Sequence, residues 1–330
     1  MDPSPPSPPS TPTPPTLHTG VPDAGAVRAL AAAARQADGI DPYDEQTLLN
    51  LDSGAVTHLQ LAGPTGSTGP VGYAQIDRGS AELAIHPDYR RAGCGAHLLA
   101  AVLEAGPPEL AIWAHGNLPG AAALAARRGL RVTRELLYLT AELTPTVPTV
   151  SEAPTVPTVL TAPTAPEVPA GIELATFAPG TRDEADWLAL NAAAFADHPE
   201  QGRLTAADLH ARMAQPWFDP SLFWLARAHD TSALLGAMWV KPAVPSGPAE
   251  PNERSGQNVG GTAEIYVLGV HPEAQGRRLG TLLTRVAMAE ARRRGYARMD
   301  LYVERENHPA VATYARHGFV TAQRHVQYSR

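Results

Sequence analysis

TAEIYVLGVHPEAQGRRLGT, residues Thr262 to Thr281, reads as a strand, a tight loop and the start of a helix. The strand is Ala263 to Val270, and His271-Pro272 turns the chain. Beyond the loop, Leu279, Leu282, Leu283, Val286 and Ala287 recur at the three-and-four spacing of a buried helix face. Arg285, Glu290 and Arg292 to Arg294 lie off that stripe, and Gly295 stops the helix. Between strand and helix sits Gln275-Gly276-Arg277-Arg278-Leu279-Gly280. Its backbone N–H groups stand at a helix start, where the dipole is positive, so an anion such as a pyrophosphate docks there.

Working outward, a second strand follows (Arg298 to Val303), then Asn307, a helix through Tyr314, and Gly318-Phe319. The same order occurs earlier in the chain. AELAIHPDYRRAGCGAHLLAAVLE, from Ala81 to Glu104, repeats strand, His-Pro, glycine loop and apolar helix. Leu110 to Asn117, the helix Ala121 to Arg128, and Gly129-Leu130 continue the parallel. Two copies of one fold are expected.

The rest of each copy is less marked. In the first, structure is expected from Val21, with Asp23 capping a helix that carries Val27, Leu30, Ala31 and Ala34. A short helix starts at Asp41 to Asp44, and strands read at His58 to Ala62 and Val71 to Ile76, joined by the turn Gly63 to Gly69. In the second, the spacing predicts strand Ile172 to Phe177, a helix from Asp183 to Ala196, and a helix through Leu209 and Met213. Strands Leu222 to Ala228 and Leu234 to Lys241 follow. Met1 to Thr16 is a Pro/Ser-rich tail expected to be disordered, Thr144 to Pro169 an extended Pro/Thr spacer, and Ala243 to Gly261 a hairpin excursion.

Composition narrows the function. A chain of 330 residues holds two ordinary domains. A net charge of −7 with no Lys/Arg-rich run argues against a nucleic-acid partner. No apolar run approaches the ~20 residues of a membrane helix. The N-terminus lacks the pattern of a signal peptide, so a cytoplasmic protein is expected. A monomer without a membrane partner is the separate expectation for its assembly. One cysteine, Cys94, excludes an internal disulfide, and no metal is expected. No base is evident near Cys94, which reads as a packing residue. His86 and His271 read as turn residues.

The order V-x-P-x-x-Q-x-x-x-x-G, strand, Asn, helix with Tyr, Gly-Phe resembles the GCN5-related N-acetyltransferases. The resemblance implies an α/β (α+β) protein of two tandem domains of that family, each a mixed, mostly antiparallel sheet flanked by helices. The divisions expected are 1–16, 17–143, 144–169 and 170–330. It also implies acetyl-CoA as acetyl donor, its pyrophosphate on the loop and its thioester arm along the preceding strand.

Acetyl transfer to an amine needs a base for the ammonium proton and an acid for the departing thiolate. Aligning the His-Pro pairs sets Glu264 opposite Gly79, and aligning Gly129 with Gly318 sets Tyr314 opposite Ala125. Only the second copy therefore has both groups, and Glu264 is read as base and Tyr314 as acid. Backbone N–H groups near Leu268 to Val270 suit the developing oxyanion. The first loop, Arg90-x-x-Gly93-x-Gly95, keeps two glycines, whereas Arg278 stands at the first of these in the second loop.

Longer strings narrow the resemblance to a branch of the family with two fused copies. They are NAAAFADHPEQG (Asn191 to Gly202), WFDP, MWVK, GTAEIYVLGV, LYVE with Thr313-Tyr314, and WAHG. That branch acetylates the cysteinyl amine of a cysteine–glucosamine–inositol pseudodisaccharide. The implied substrate residues are Glu45, Glu200, Lys241, Glu264 and Tyr302. For acetyl-CoA they are Leu268, Gly269, Val270, Gln275, Gly276, Arg277, Arg278, Leu279, Gly280 and Thr281, with Asn307, His308, Pro309, Ala310, Val311 and Ala312. A second, non-catalytic acetyl-CoA is implied at Leu83, Ala84, Ile85, Arg91, Ala92, Gly93, Cys94, Gly95 and Ala96. Glu45 comes from the first copy, so a cleft between domains is expected. The alternatives are transfer to another small-molecule or peptide amine, and a non-catalytic acetyl-CoA sensor.

Overall fold

The computed structural model describes residues 15–63, 69–143, 167–196, 198, 201–242 and 261–330. The expected tail up to residue 14, the interior of the Gly63 to Gly69 turn, nearly all of the spacer and the excursion, and Glu200, lie outside these residues. The chain divides into two compact units, residues 1–135 with 324–330, and residues 136–323.

Unit 1 opens with β1 (Leu17–Thr19), α1 (Ala24–Asp38), α2 (Glu45–Leu49), β2 (Thr57–Ala62), β3 (Pro70–Asp77) and β4 (Ser80–Ile85). It continues with α3 (Cys94–Ala105), β5 (Ala111–Ala114) and α4 (Pro119–Arg127). Structure starts before the expected Val21, because β1 pairs with β2 and Leu17 packs on the core. Asp23 caps α1 by accepting from Ala26 N at 3.0 Å, as its sequence predicts. Neighbours in β3 point opposite ways. Ala74 meets Leu98 and Val102 of α3, and Tyr73 meets Val27 and Leu30 of α1. That period of two puts one helix layer on each face.

β6 (Arg131–Glu142) runs on from α4, and its residues from Leu136 pair with a strand of unit 2. Unit 2 adds β7 (Ile172–Thr176), α5 (Asp183–Ala194), α6 (Ala206–Met213), β8 (Phe223–Ala228), β9 (Leu234–Pro242) and β10 (Thr262–Val270). Then come α7 (Leu279–Arg293), β11 (Arg298–Glu304), α8 (His308–Arg316) and β12 (Val320–Ser329). Met238 packs with Leu283 and Ala287 of α7, while Trp239 packs with Trp187 of α5 and Leu209 of α6. Burying a Leu or Met such as Leu283, Leu209 or Met238 contributes about 1.5–3 kcal/mol each.

The sheets follow one plan. In unit 1, β1 to β5 pair in sequence order and only β4–β5 is parallel. In unit 2, β7 to β11 do the same with only β10–β11 parallel. The last strand of each is the finding that sequence reading did not supply. Tyr328 and Val326 of β12 pair with Ile112 and Ala114 of β5, and Leu136 to Glu142 of β6 pair with β11. Residues 324–330 thus complete unit 1, and residues 136–142 belong to unit 2.

Candidate active site

In unit 2 the parallel pairing of β10 with β11 runs from Thr262↔Arg298 to Ile265↔Leu301 and stops. There the register of β10 on β9 shifts by one, leaving Tyr266 as the extra residue of a β-bulge. A bulge bends its strand and increases the local twist, which accounts for the parting. β10 continues on β9 through Val267↔Trp239 to Val270↔Gly236. In such a ladder every second residue turns its N–H and C=O away from the partner. Along Leu268, Gly269 and Val270 those groups therefore line the side that β11 has left, and buried backbone groups need partners. In unit 1, β4 and β5 pair only at Ser80↔Ala111 and Ala81↔Ile112, so Leu83, Ala84 and Ile85 lie past the last pair.

The loop after β10 makes a 3-10 turn at Pro272–Ala274. His271 caps this turn and His86 its counterpart, accepting backbone N–H bonds from Glu273 and Asp88, so both are turn residues as expected. Gly276 has φ 78° and Arg278 φ 60°. Arg278 is the N-cap of α7 and makes no side-chain cap. The first backbone bond back to the cap comes from Leu282, so the N–H groups of Leu279, Gly280 and Thr281 have no partner within the helix. A Cβ on Gly280 would meet nothing within 4 Å, so neither packing nor backbone conformation asks for glycine there. An uncapped helix start beside an unfilled glycine fits an anionic group. Arg91 (φ 64°) and Gly93 (φ 85°) repeat the two left-handed positions in unit 1, again with no side-chain cap on the helix.

Glu264 is half-buried on β10, with Lys241 as Cα partner on β9 and Asp300 on β11. Counting from the equivalent pairs Val270↔Gly236 and Ile85↔Gly72, the residue at Glu264's place in unit 1 is Ser80, opposite Asp77. The bulge residue displaces the sequence alignment to Gly79 by one, and unit 1 still has no carboxylate at that place. Lys241 holds its ammonium 4.7 Å from the Trp217 ring and 5.2 Å from that of Tyr266. Tyr302 is 46 % exposed on β11, its ring 5.0 Å from Tyr138.

Tyr314 is buried on α8 in the cluster that holds Ile265, Leu301 and Val303, edge-on to Phe319 at 5.6 Å. Burial raises its phenol well above the ordinary value, so it stays protonated at neutral pH. Its hydroxyl has no hydrogen-bond partner among the described residues. Asn307 caps α8, accepting from Ala310 N at 3.2 Å, and His308, Pro309, Ala310, Val311 and Ala312 form the helix's first turns. Cys94 is 6 % exposed among Leu98, Leu99 and Ala125, a packing role. Glu45 is the first residue of α2, in unit 1.

Unit 1 carries a polar cluster that sequence reading missed. Glu82, 4 % exposed, accepts from Asp44 N at 2.9 Å and lies 2.6 Å from His115 Nε2. His115 Nδ1 is 3.0 Å from His325 Nδ1. Burial, then the charge of Glu82, pushes Asp44 up to about 7. Burial opposes charge on His115, but Glu82 outweighs it and raises the imidazole. The one local signal was a glutamate inside the apolar string AELAI.

The profile of the acetyltransferase (GNAT) family matches residues 187–319. The mycothiol acetyltransferase of Beutenbergia cavernae is 43 % identical over 307 residues, covering 92 % of this chain and 95 % of that protein. That of Sanguibacter keddieii is 44 % identical over 318 residues, covering 93 % of each. Among solved structures, a tandem GNAT protein from the clavulanic acid biosynthesis pathway superposes with TM-score 0.62 at 22 % identity, over 95 % of this chain and 98 % of that one. A GCN5-related N-acetyltransferase from Sphaerobacter thermophilus gives 0.60 at 22 %, over 94 % of each. At that identity the likeness is one of fold.

Proposed function

The chain belongs to the mycothiol acetyltransferases, within the GNAT acetyltransferases, and from that membership we propose that it acetylates the cysteinyl amine of a cysteine–glucosamine–inositol pseudodisaccharide. It is an acetyl-CoA-dependent acyltransferase of mycothiol biosynthesis. The products are mycothiol and CoA. The observation that carries the reading is the parting of β10 from β11 directly beside an uncapped helix start, with Glu264 on the strand that bends away.

Leu268 to Val270 offer backbone groups to the amides of the thioester arm, and residues 275–281 take the pyrophosphate on N–H groups and arginine charge. Asn307 to Ala312 line the other side. Glu264 removes a proton from the acceptor ammonium, and Tyr314 holds one for the thiolate. Nitrogen gives up two protons in all, one from the ammonium to Glu264 before attack and a second as the N-acyl bond forms and the thioester C–S bond breaks. The departing sulfur gains one, and one is released. Lys241, Glu264 and Tyr302 orient an acceptor made mostly of hydroxyls, for which charged hydrogen-bonding groups suit. Unit 1 binds a second acetyl-CoA and does not catalyse. The enzyme works as a monomer in the cytoplasm, where acetyl-CoA is supplied. No helix of the described residues is long and apolar enough to cross a membrane.

The test is direct. Purified protein with acetyl-CoA and the cysteinyl pseudodisaccharide should release CoA thiol and give the N-acetylated product by mass spectrometry. No transfer to that amine, alongside ready acetylation of another small-molecule or peptide amine, would overturn the substrate assignment.

A further inference from the structure

The geometry points to Trp217 and Tyr266 as positioning residues that act through Lys241, fixing its ammonium beside Glu264 so that it meets the acceptor in one place. This rests on the reading that Lys241 binds the acceptor. Lys241 and Glu264 are Cα partners across the antiparallel β9–β10 ladder, so their side chains leave the sheet on one face. Trp239, two residues before Lys241, lies on that face against α5 and α6.

A lysine on four rotatable bonds has about 2 kcal/mol of rotamer freedom to lose before it can present a fixed charge. Here two rings restrict it. Its Nζ is within the ~6 Å at which a cation is drawn to a ring face, at 4.7 Å for Trp217 and 5.2 Å for Tyr266. The two rings stand 5.3 Å apart at 59°, so they form two walls rather than one shelf.

Both walls are themselves held. Trp217 is 9 % exposed and packs on the fully buried Trp239, 5.7 Å between centroids. The Tyr266 hydroxyl accepts from Arg212 Nε at 2.7 Å, and Arg212, buried on α6, also donates to Asp208 O at 3.0 Å. Tyr266 is the bulge residue, so the irregularity where β10 leaves β11 also supplies one wall.

Packing alone does not call for this arrangement, since Leu or Met at 241 would fill the same wall without a charge. Unit 1 provides an internal control. By sheet register Asp77 stands at the place of Lys241, Gln75 at that of Trp239 and Ser80 at that of Glu264. The cage and the proposed base therefore occur together in unit 2, and neither occurs in unit 1.

The experiment is a double-mutant cycle with steady-state kinetics. Trp217→Leu should raise the KM for the cysteinyl pseudodisaccharide about 2–30-fold, the range that loss of a cation–ring contact allows. kcat and the KM for acetyl-CoA should stay within about twofold, and Trp217→Phe should restore most of the loss. In a Lys241→Met background, Trp217→Leu should add nothing. An unchanged KM in Trp217→Leu, an equal loss in Trp217→Phe, or the same increment with and without Lys241 would overturn the proposal. Lys241→Met alone reports on the reading beneath it: no rise in that KM would remove Lys241 from the acceptor site whatever the cycle shows. Should Trp217→Leu melt below the assay temperature, Tyr266→Leu removes the other wall and enters the same cycle.

Discussion

Arg278 and Gly93 hold the same place in their loops, each the left-handed N-cap of the helix that follows, at φ 60° and φ 85°. Sequence alone makes Arg278 a departure from the pattern. The backbone shows that the arginine takes the glycine conformation instead of changing the loop. A side chain held left-handed costs about 1–2 kcal/mol relative to the right-handed region. Unit 2 tolerates that strain and gains a guanidinium at the loop proposed to hold the pyrophosphate.

Arg278→Gly should therefore raise stability by about 1 kcal/mol, or roughly 2–4 °C in melting temperature for a unit of this size. The affinity for acetyl-CoA should weaken a few-fold as the charge is lost. Thermal unfolding and a titration with CoA check the two together. A lower melting temperature would show that the arginine side chain, rather than the backbone, holds the turn.

The division of labour between units is best tested at Gly280 and Gly95, which hold equivalent places. Gly93 is unsuitable, since its φ would strain any side chain. A Cβ at Gly280 meets nothing within 4 Å, and at Gly95 only Leu124 at 3.5 Å and Ile85 at 3.8 Å. Both Glu variants should fold, because a carboxylate in a first helical turn is favourable. Gly280→Glu should abolish turnover by setting that charge against the pyrophosphate. Gly95→Glu should lose CoA from unit 1 and keep most of the turnover. Equal losses of turnover in two folded variants would refute the division.

What the sequence made legible was local. β10, its loop and α7 carry alternation, a turn and an apolar stripe within a few tens of residues, and the structure places them within one or two residues of the sequence reading. The bulge at Tyr266 carries no Gly or Pro to mark it, and only the pairing with β9 reveals it. The destinations of β6 and β12 were illegible for a related reason, since a strand's own residues do not name its partner. The Glu82–His115–His325 cluster joins residues 33 and 210 apart in the chain, beyond the reach of any spacing rule. Glu264 was found by comparing the two copies, although the bulge shifts its counterpart from Gly79 to Ser80.

The same cluster gives a pH dependence of stability. Burial, then the charge of His115, lowers His325 from its ordinary 6.5 to about 4. A histidine depressed on folding favours the folded state in its neutral form. Its contribution is fully present above pH 6.5 and is lost as pH falls towards about 4. The amount is on the order of 3 kcal/mol. Asp44, pushed up to about 7, acts in the opposite sense over the same window, so the difference between two proteins is the readout. As pH drops from 6.5 towards about 4, the parent should lose more melting temperature, or gain less, than His325→Gln. Parallel curves for the two proteins would show that other groups carry the acid loss.

The acid–base pair makes the last prediction. Glu264→Gln keeps the size of the side chain and some hydrogen bonding but removes the proposed base. Turnover should fall by the ~10²–10⁴ that general acid–base catalysis supplies, with acetyl-CoA affinity little changed. Part of the loss should return at higher pH, where more of the acceptor amine is already unprotonated. Tyr314→Phe removes only a hydroxyl, buried and protonated, that makes no hydrogen bond among the described residues. Its cost should be smaller, because a thiol of pKa near ~8.5 is a tolerable leaving group without a donor. Tyr314→Phe should also keep its melting temperature, since the ring still packs on Phe319. A Glu264→Gln enzyme with normal turnover at neutral pH would sink the base assignment, and Glu200 would be the next carboxylate to replace.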